Sequence, residues 1–258
     1  SRLRRKPLSD AERQIVERRV AWLGALPGPV RQELEGLVQI FLAEKKFEGC
    51  GGLVVSDEMR LVIATQACIL LLGRDADVYP GLYTILVYPH AYVARTRSTR
   101  AGIVTEGVSA RLGESWSRGS LVLAWDHVLR DAGDVHDGHN VVFHEFAHLL
   151  DFQDGAADGT PPLSGRSRYL AWARVLGEAY ADLRDRIDSH RPSVLDDYGA
   201  TNPAEFFAVA TECFFEKPHA LERAYPELYS ELRRFYRRDP AALLRGEPEA
   251  LEGGSGTD

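Results

Sequence analysis

Cysteine is scarce in this 258-residue chain, and the little there is does not pair by spacing. Cys50, Cys68 and Cys213 form an odd, widely separated set with no CxxC, so neither a disulfide framework nor a zinc ribbon is expected. That pattern fits a reducing, cytoplasmic setting, with Cys68 a buried thiol inside the apolar run 64–72. Lysine is also rare: Lys6, Lys45, Lys46 and Lys217 are the full set, and arginine carries the remaining positive charge. We read this as the mark of a GC-rich, bacterial genome. Excess basic charge is missing too, with a net charge of −7 and a pI near 5.7, which excludes the electrostatic footprint of a nucleic-acid binder. The cluster Arg2, Arg4, Arg5 and Lys6 reads as a solvated tail. Long apolar runs are absent. The longest, Ala67-Cys68-Ile69-Leu70-Leu71-Leu72, is far too short for a bilayer, and no apolar segment directly follows the basic start, so neither a membrane span nor a secretory signal is expected.

What is present is an ordinary globular composition, 45% hydrophobic and 27% charged, in a chain long enough to bury a sizeable core. Ser9-Asp10-Ala11-Glu12 is a capping box and predicts a helix to about residue 23. Pro27-Gly28-Pro29 breaks it, and an apolar stripe at Val30, Leu34, Leu37, Val38 and Phe41 predicts a second helix. Gly49, Gly51 and Gly52 read as a turn, and Ser56 caps a third helix running to about residue 72. Strand signals follow at 82–88, 102–106, 108–112 and 120–125. Helices return at 140–152, 168–189, from about 203, and at 226–237, with a short piece after Pro240. Helices, then a small mixed or antiparallel sheet, then helices again give an α+β class.

The chemistry is concentrated in His144-Glu145-Phe146-Ala147-His148. On a helix, residues four apart share a face, so both imidazoles can grip one ion, with Glu145 projecting beside it. Zinc accepts neutral imidazole and keeps a fourth position open in catalytic sites. It brings the pKa of a water to about 7, and a neighbouring carboxylate can take the proton and pass it on. Apolar neighbours, Val141-Val142-Phe143 and Leu149-Leu150, would bury this helix on several sides. Asp151 and Asp154 stand where a longer histidine motif would place glycine and histidine. Asp151 therefore reads as a group that orients a histidine or anchors the helix, and only less readily as a ligand.

A third ligand has to come from elsewhere. Asn202 can cap a helix, Pro203 suits its first position, and Glu205 falls in the first turn between aromatic residues, where a carboxylate needs a partner. The bland alternative is that Glu205 only complements the helix dipole. Glu212, two turns on, faces the same side and is either an alternative ligand or a supporting group.

The segments 137–148 and 202–208, with Gly113-Glu114-Ser115-Trp116-Ser117-Arg118-Gly119 and Leu123-Ala124-Trp125, resemble the Mlc titration factor A family of bacterial zinc peptidases. The resemblance covers most of the chain, from the third helix to about Pro218. The two metal segments are also similar to those of the catalytic domain of anthrax lethal factor. The resemblance implies a zincin-like core and a gluzincin-type site holding one zinc ion: His144, His148 and Glu205 as ligands, Glu145 as general base, and Tyr198 as donor to the oxyanion of the tetrahedral intermediate. It implies a cytosolic peptidase of aminopeptidase type and, for the family, a repressor partner.

We therefore expect a flexible basic segment 1–8, a helical part 9–72, a catalytic core 73–245 and a flexible tail 246–258. A peptide or protein substrate would lie extended along the edge strand, at Leu121, Val122, Leu123 and Ala124. The rival from another class is a regulator that sequesters a transcriptional repressor. His136 and His139 could shape the cleft, whereas His90, His127, His190 and His219 show no ligand spacing and read as structural.

Overall fold

A computed structural model of the chain describes residues 3–74, 77–90 and 119–245. Ser9 caps helix α1 (Asp10–Arg19): its hydroxyl accepts from the Glu12 amide while the Glu12 carboxylate reaches back to the Ser9 amide at 2.7 Å. The chain then tightens into a 3-10 turn, Ala21–Ala25, that buries Trp22 and Leu23, so α1 ends earlier than its apolar spacing suggests. Helix α2 (Gly28–Glu44) presents Leu34, Leu37, Val38 and Phe41 to the core. Helix α3 (Asp57–Ile69), capped by Ser56, is buried from Leu61 to its end.

Three short strands form one sheet: β1 (Lys46–Gly49), β2 (Thr84–Tyr88) and β3 (Ser120–Ala124), in the order β1-β2-β3. All pairs are parallel, with Phe47 opposite Ile85 and Ile85 opposite Leu121. This corrects the expectation of a mixed or antiparallel sheet. Parallel neighbours need a crossover, and α3 supplies one between β1 and β2. Strand β1 escapes sequence reading because Lys-Phe-Glu-Gly has a single apolar residue and three of its four residues are exposed. The strand candidates at 102–106 and 108–112, the motif residues 113–118 and the tail 246–258 lie outside the described residues.

Beyond the sheet the chain is helical: α4 (Trp125–Gly133), α5 (Val141–Asp151), α6 (Arg166–Asp188), α7 (Pro203–Glu216), α8 (Pro218–Ala224), α9 (Pro226–Tyr236) and α10 (Pro240–Arg245). Helices α4 and α8 are additions to the sequence expectation. The first has no side-chain cap and the second is only seven residues long, so neither announces itself locally. One continuous hydrophobic cluster extends from Leu8 to Leu243. Within it α5 is gripped by aromatic rings: Phe146 meets Tyr79 at 4.7 Å and Phe41 at 5.8 Å, and Phe143 meets Phe215 at 5.3 Å between ring centres. Phe206, Phe207, Phe214 and Phe215 anchor α7 in the same way. Two almost fully buried helices, α5 and α7, are thus fixed against each other before any polar side chain is considered.

Candidate metal centre

Helix α5 begins at Asn140, whose side-chain oxygen accepts from the amides of Val142 (3.1 Å) and Phe143 (3.0 Å). Its apolar positions, Val142, Phe143, Phe146, Ala147 and Leu150, go to the core, which leaves His144 and His148 on the face turned to α7. Helix α7 begins at Asn202, whose oxygen accepts from the Glu205 amide at 3.0 Å, with Pro203 in the first turn. This cap sets the rotation of α7 so that Glu205 meets the histidines.

The three side chains converge. Glu205 Oε2 lies 3.0 Å from His144 Nε2 and 3.2 Å from His148 Nε2, and the two nitrogens are 3.2 Å apart. Four-coordinate zinc with ligands at about 2.0–2.1 Å has ligand–ligand separations of about 3.3 Å, so the donor set fits such an ion closely. The donor chemistry agrees. Glu212 Oε1 accepts from His144 Nδ1 at 2.7 Å, which fixes the ring and turns the Nε2 lone pair towards the cluster. Glu212 Oε2 accepts in turn from the Asn140 amide at 2.6 Å. Glu212 thus meets His144 at Nδ1 and stands outside the group formed by His144, His148 and Glu205.

Electrostatics are those of a cluster that wants a cation. Burial works to raise Glu205, but its hydrogen bonds to His144 and His148 win and hold it at about 2. Burial likewise disfavours charge on His144, yet its bonds to Glu205 and Glu212 push it up to about 10. Burial keeps His148 below its ordinary value. A divalent ion would take over the role that the His144 proton otherwise plays, releasing that proton on binding. Glu145 is buried, and desolvation pushes it up to about 7; its Oε2 makes no hydrogen bond among the described residues.

Tyr198 sits on a 3-10 turn, Asp197–Ala200, whose start is fixed by Asp196 accepting from the Tyr198 amide at 2.8 Å. Its ring is 6.0 Å from that of His144, and nearly half of the residue is exposed. Asp151 is fully buried, is pushed up to about 7 by burial, and stands outside the ligand cluster. Its Oδ2 accepts from the Gly159 amide at 2.8 Å, so it anchors a loop at the end of α5. Gly159 has φ +81°, and a Cβ there would lie 2.4 Å from the Pro203 carbonyl; the loop is wedged between the ends of both ligand helices.

A cleft of about 280 Å3 opens beside His144 and Tyr198. His127, Arg130, Asp131, His139 and Asp196 line it as well. Sequence reading left His127 as structural and passed over Arg130 and Asp131, because the helix carrying all three, α4, was itself unseen. Of the expected substrate residues, Leu121 and Leu123 are buried in the core, Val122 and Ala124 are half-buried, and none lines this cleft. Strand β3 is at the edge of the sheet among the described residues.

Comparison with known proteins matches the family model of the glucose-regulated metallo-peptidases M90 over residues 1–237. The chain is 45% identical over 237 residues to the uncharacterized protein slr2042 of Synechocystis, covering 91% of this chain and 86% of that one. It is 34% identical over 227 residues to proteins named Mlc titration factor A of Yersinia pestis and Yersinia pseudotuberculosis, covering 86% of this chain and 83% of theirs. With two helices presenting a convergent His-His-Glu set and a family match along almost its whole length, the chain belongs to the glucose-regulated metallo-peptidase M90 family.

Proposed function

We propose that the protein is a zinc-dependent peptidase that hydrolyses peptide bonds in the cleft beside His144. The observation that carries this reading is the cluster of His144, His148 and Glu205, whose donor atoms lie within 4.8 Å of one another, with Glu145 buried beside it. Those three residues would hold the ion, one per chain. Zinc there would supply a Lewis acid that polarises the scissile carbonyl and acidifies a water. Glu145 takes the proton from the attacking water and delivers it to the nitrogen of the leaving amine. Tyr198 donates its hydroxyl to the carbonyl oxygen as negative charge develops. The Glu212 carboxylate holds His144 in one tautomer throughout. The substrate backbone is expected to pair with the outer edge of β3, an edge strand among the described residues, whose side chains Leu121 and Leu123 serve the core.

Replacing Glu145 by Gln removes the proton carrier and leaves the ligand set intact. The variant should bind zinc stoichiometrically by elemental analysis and lose peptide hydrolysis by at least about 100-fold. Retained turnover would sink the mechanism. Aminoacyl anilides, set against internally quenched peptides, test the aminopeptidase preference that the resemblance implies.

The name of the Yersinia relatives, Mlc titration factor A, favours a second reading, in which this protein binds a transcriptional repressor in the cytoplasm. Among the described residues no helix is long and apolar enough to cross a membrane. The Glu145→Gln protein as bait separates the two readings: a captured repressor that wild-type protein neither cleaves nor releases supports the regulator.

A further inference from the structure

The cleft carries a charge pattern that the reaction above does not use. At about 280 Å3 it lies at the small end of ligand pockets, which suits a short stretch of peptide. Two of its carboxylates, Asp131 and Glu212, are buried and engaged through both oxygens, and Asp196 is engaged through one. Asp131 accepts from Arg130 Nε at 2.8 Å and from the Val141 amide at 2.9 Å. Glu212 serves His144 and Asn140. Asp196 accepts from the Tyr198 amide and faces His139 at 3.8 Å.

The donors, by contrast, have capacity to spare. Arg130 offers five N–H groups, and only Nε has a partner among the described residues. Its guanidinium is braced from behind by Asp131, whose side chain is 2% exposed, while the Arg130 side chain is 61% exposed at the cleft. An arginine oriented by a buried carboxylate, with its fork free, is arranged to receive a second carboxylate in a bidentate grip.

We propose that Arg130 is a specificity residue that binds a carboxylate of the peptide substrate, either its C-terminal group or an acidic side chain. The inference rests on the peptidase reading and deepens it.

Calorimetry on the zinc-loaded Glu145→Gln protein tests this with three octapeptides: a neutral C-terminal amide, the same sequence with a free C-terminus, and the amide with one internal glutamate. At least one carboxylate-bearing peptide should bind roughly threefold to tenfold tighter than the neutral amide, the range set by the partial exposure of Arg130. Adding Arg130→Gln should abolish that preference, read as the ratio of the Kd of each carboxylate-bearing peptide to that of the neutral amide. Whichever peptide shows the effect identifies the source of the carboxylate. Binding without a carboxylate preference, or a preference that survives Arg130→Gln (as direct capture by zinc would), overturns the proposal while leaving the peptidase reading intact. If no peptide binds and the wild-type protein cleaves none, the peptidase reading itself fails and the role of Arg130 falls with it.

Discussion

At the scale of single residues, the candidate centre depends as much on what holds His144, His148 and Glu205 as on those three side chains. Glu212 accepts from His144 Nδ1 and from the Asn140 amide at once, so one carboxylate fixes both a ligand ring and the start of its helix. Supports of this kind govern affinity as well as orientation, and their loss commonly weakens metal binding by about 10- to 100-fold. Glu212→Ala should therefore raise the zinc Kd by that factor in a chelator competition, with the fold retained by circular dichroism. An unchanged Kd would show that aromatic packing alone orients His144.

At the scale of elements, two asparagines set two helices. Asn140 does more than cap α5: its side-chain Nδ2 donates to Gln66 Oε1 on α3 at 2.9 Å and to Glu216 Oε1 on α7 at 3.0 Å. Asn140→Ala removes the cap, worth about 1 kcal/mol, and strands buried acceptors on both neighbours at about 1–3 kcal/mol more. A thermal melt should show a loss well beyond that of an ordinary cap mutant; a shift within the ordinary range would mean that water replaces the amide. The capping of α7 was legible in the sequence, since Asn202 and Pro203 precede an apolar helix; for α5 only the start near Asn140 was. So was the grouping of His144, His148 and Glu205, because four-residue spacing and a first-turn carboxylate are local signals. The direction of the sheet was not legible, because pairing between segments about forty residues apart leaves no local trace and β1 lacks an alternating pattern. The cleft residues on α4 were hidden for a related reason: His127 and Arg130 gain meaning only once α4 is laid beside α5.

At the scale of the whole molecule, stability should respond to pH through Glu216. This side chain is 1% exposed as a residue and accepts from Asn140, and burial, reinforced by Asp137 and Glu212, pushes its carboxyl up to about 10. The folded state thus holds a proton that the unfolded chain releases near the ordinary value of 4.5. The favourable contribution is complete below that value and is lost as pH rises towards about 10. Melting temperature of the metal-free protein should fall across this window, and Glu216→Gln should flatten the fall. An identical slope in wild type and variant would assign the effect to other groups.

The bond from Gln66 to Asn140 carries a consequence for how such a protein can be rearranged. It places part of the foundation of the reaction chamber in the opening third of the chain, far upstream of every residue expected to do chemistry. Shuffling that opening third between distant cousins, or trimming it away to obtain a minimal core, would leave one N–H of the Asn140 side chain unanswered at the root of its helix. The upstream helices are ground on which the chamber stands, and evolution has to carry both together.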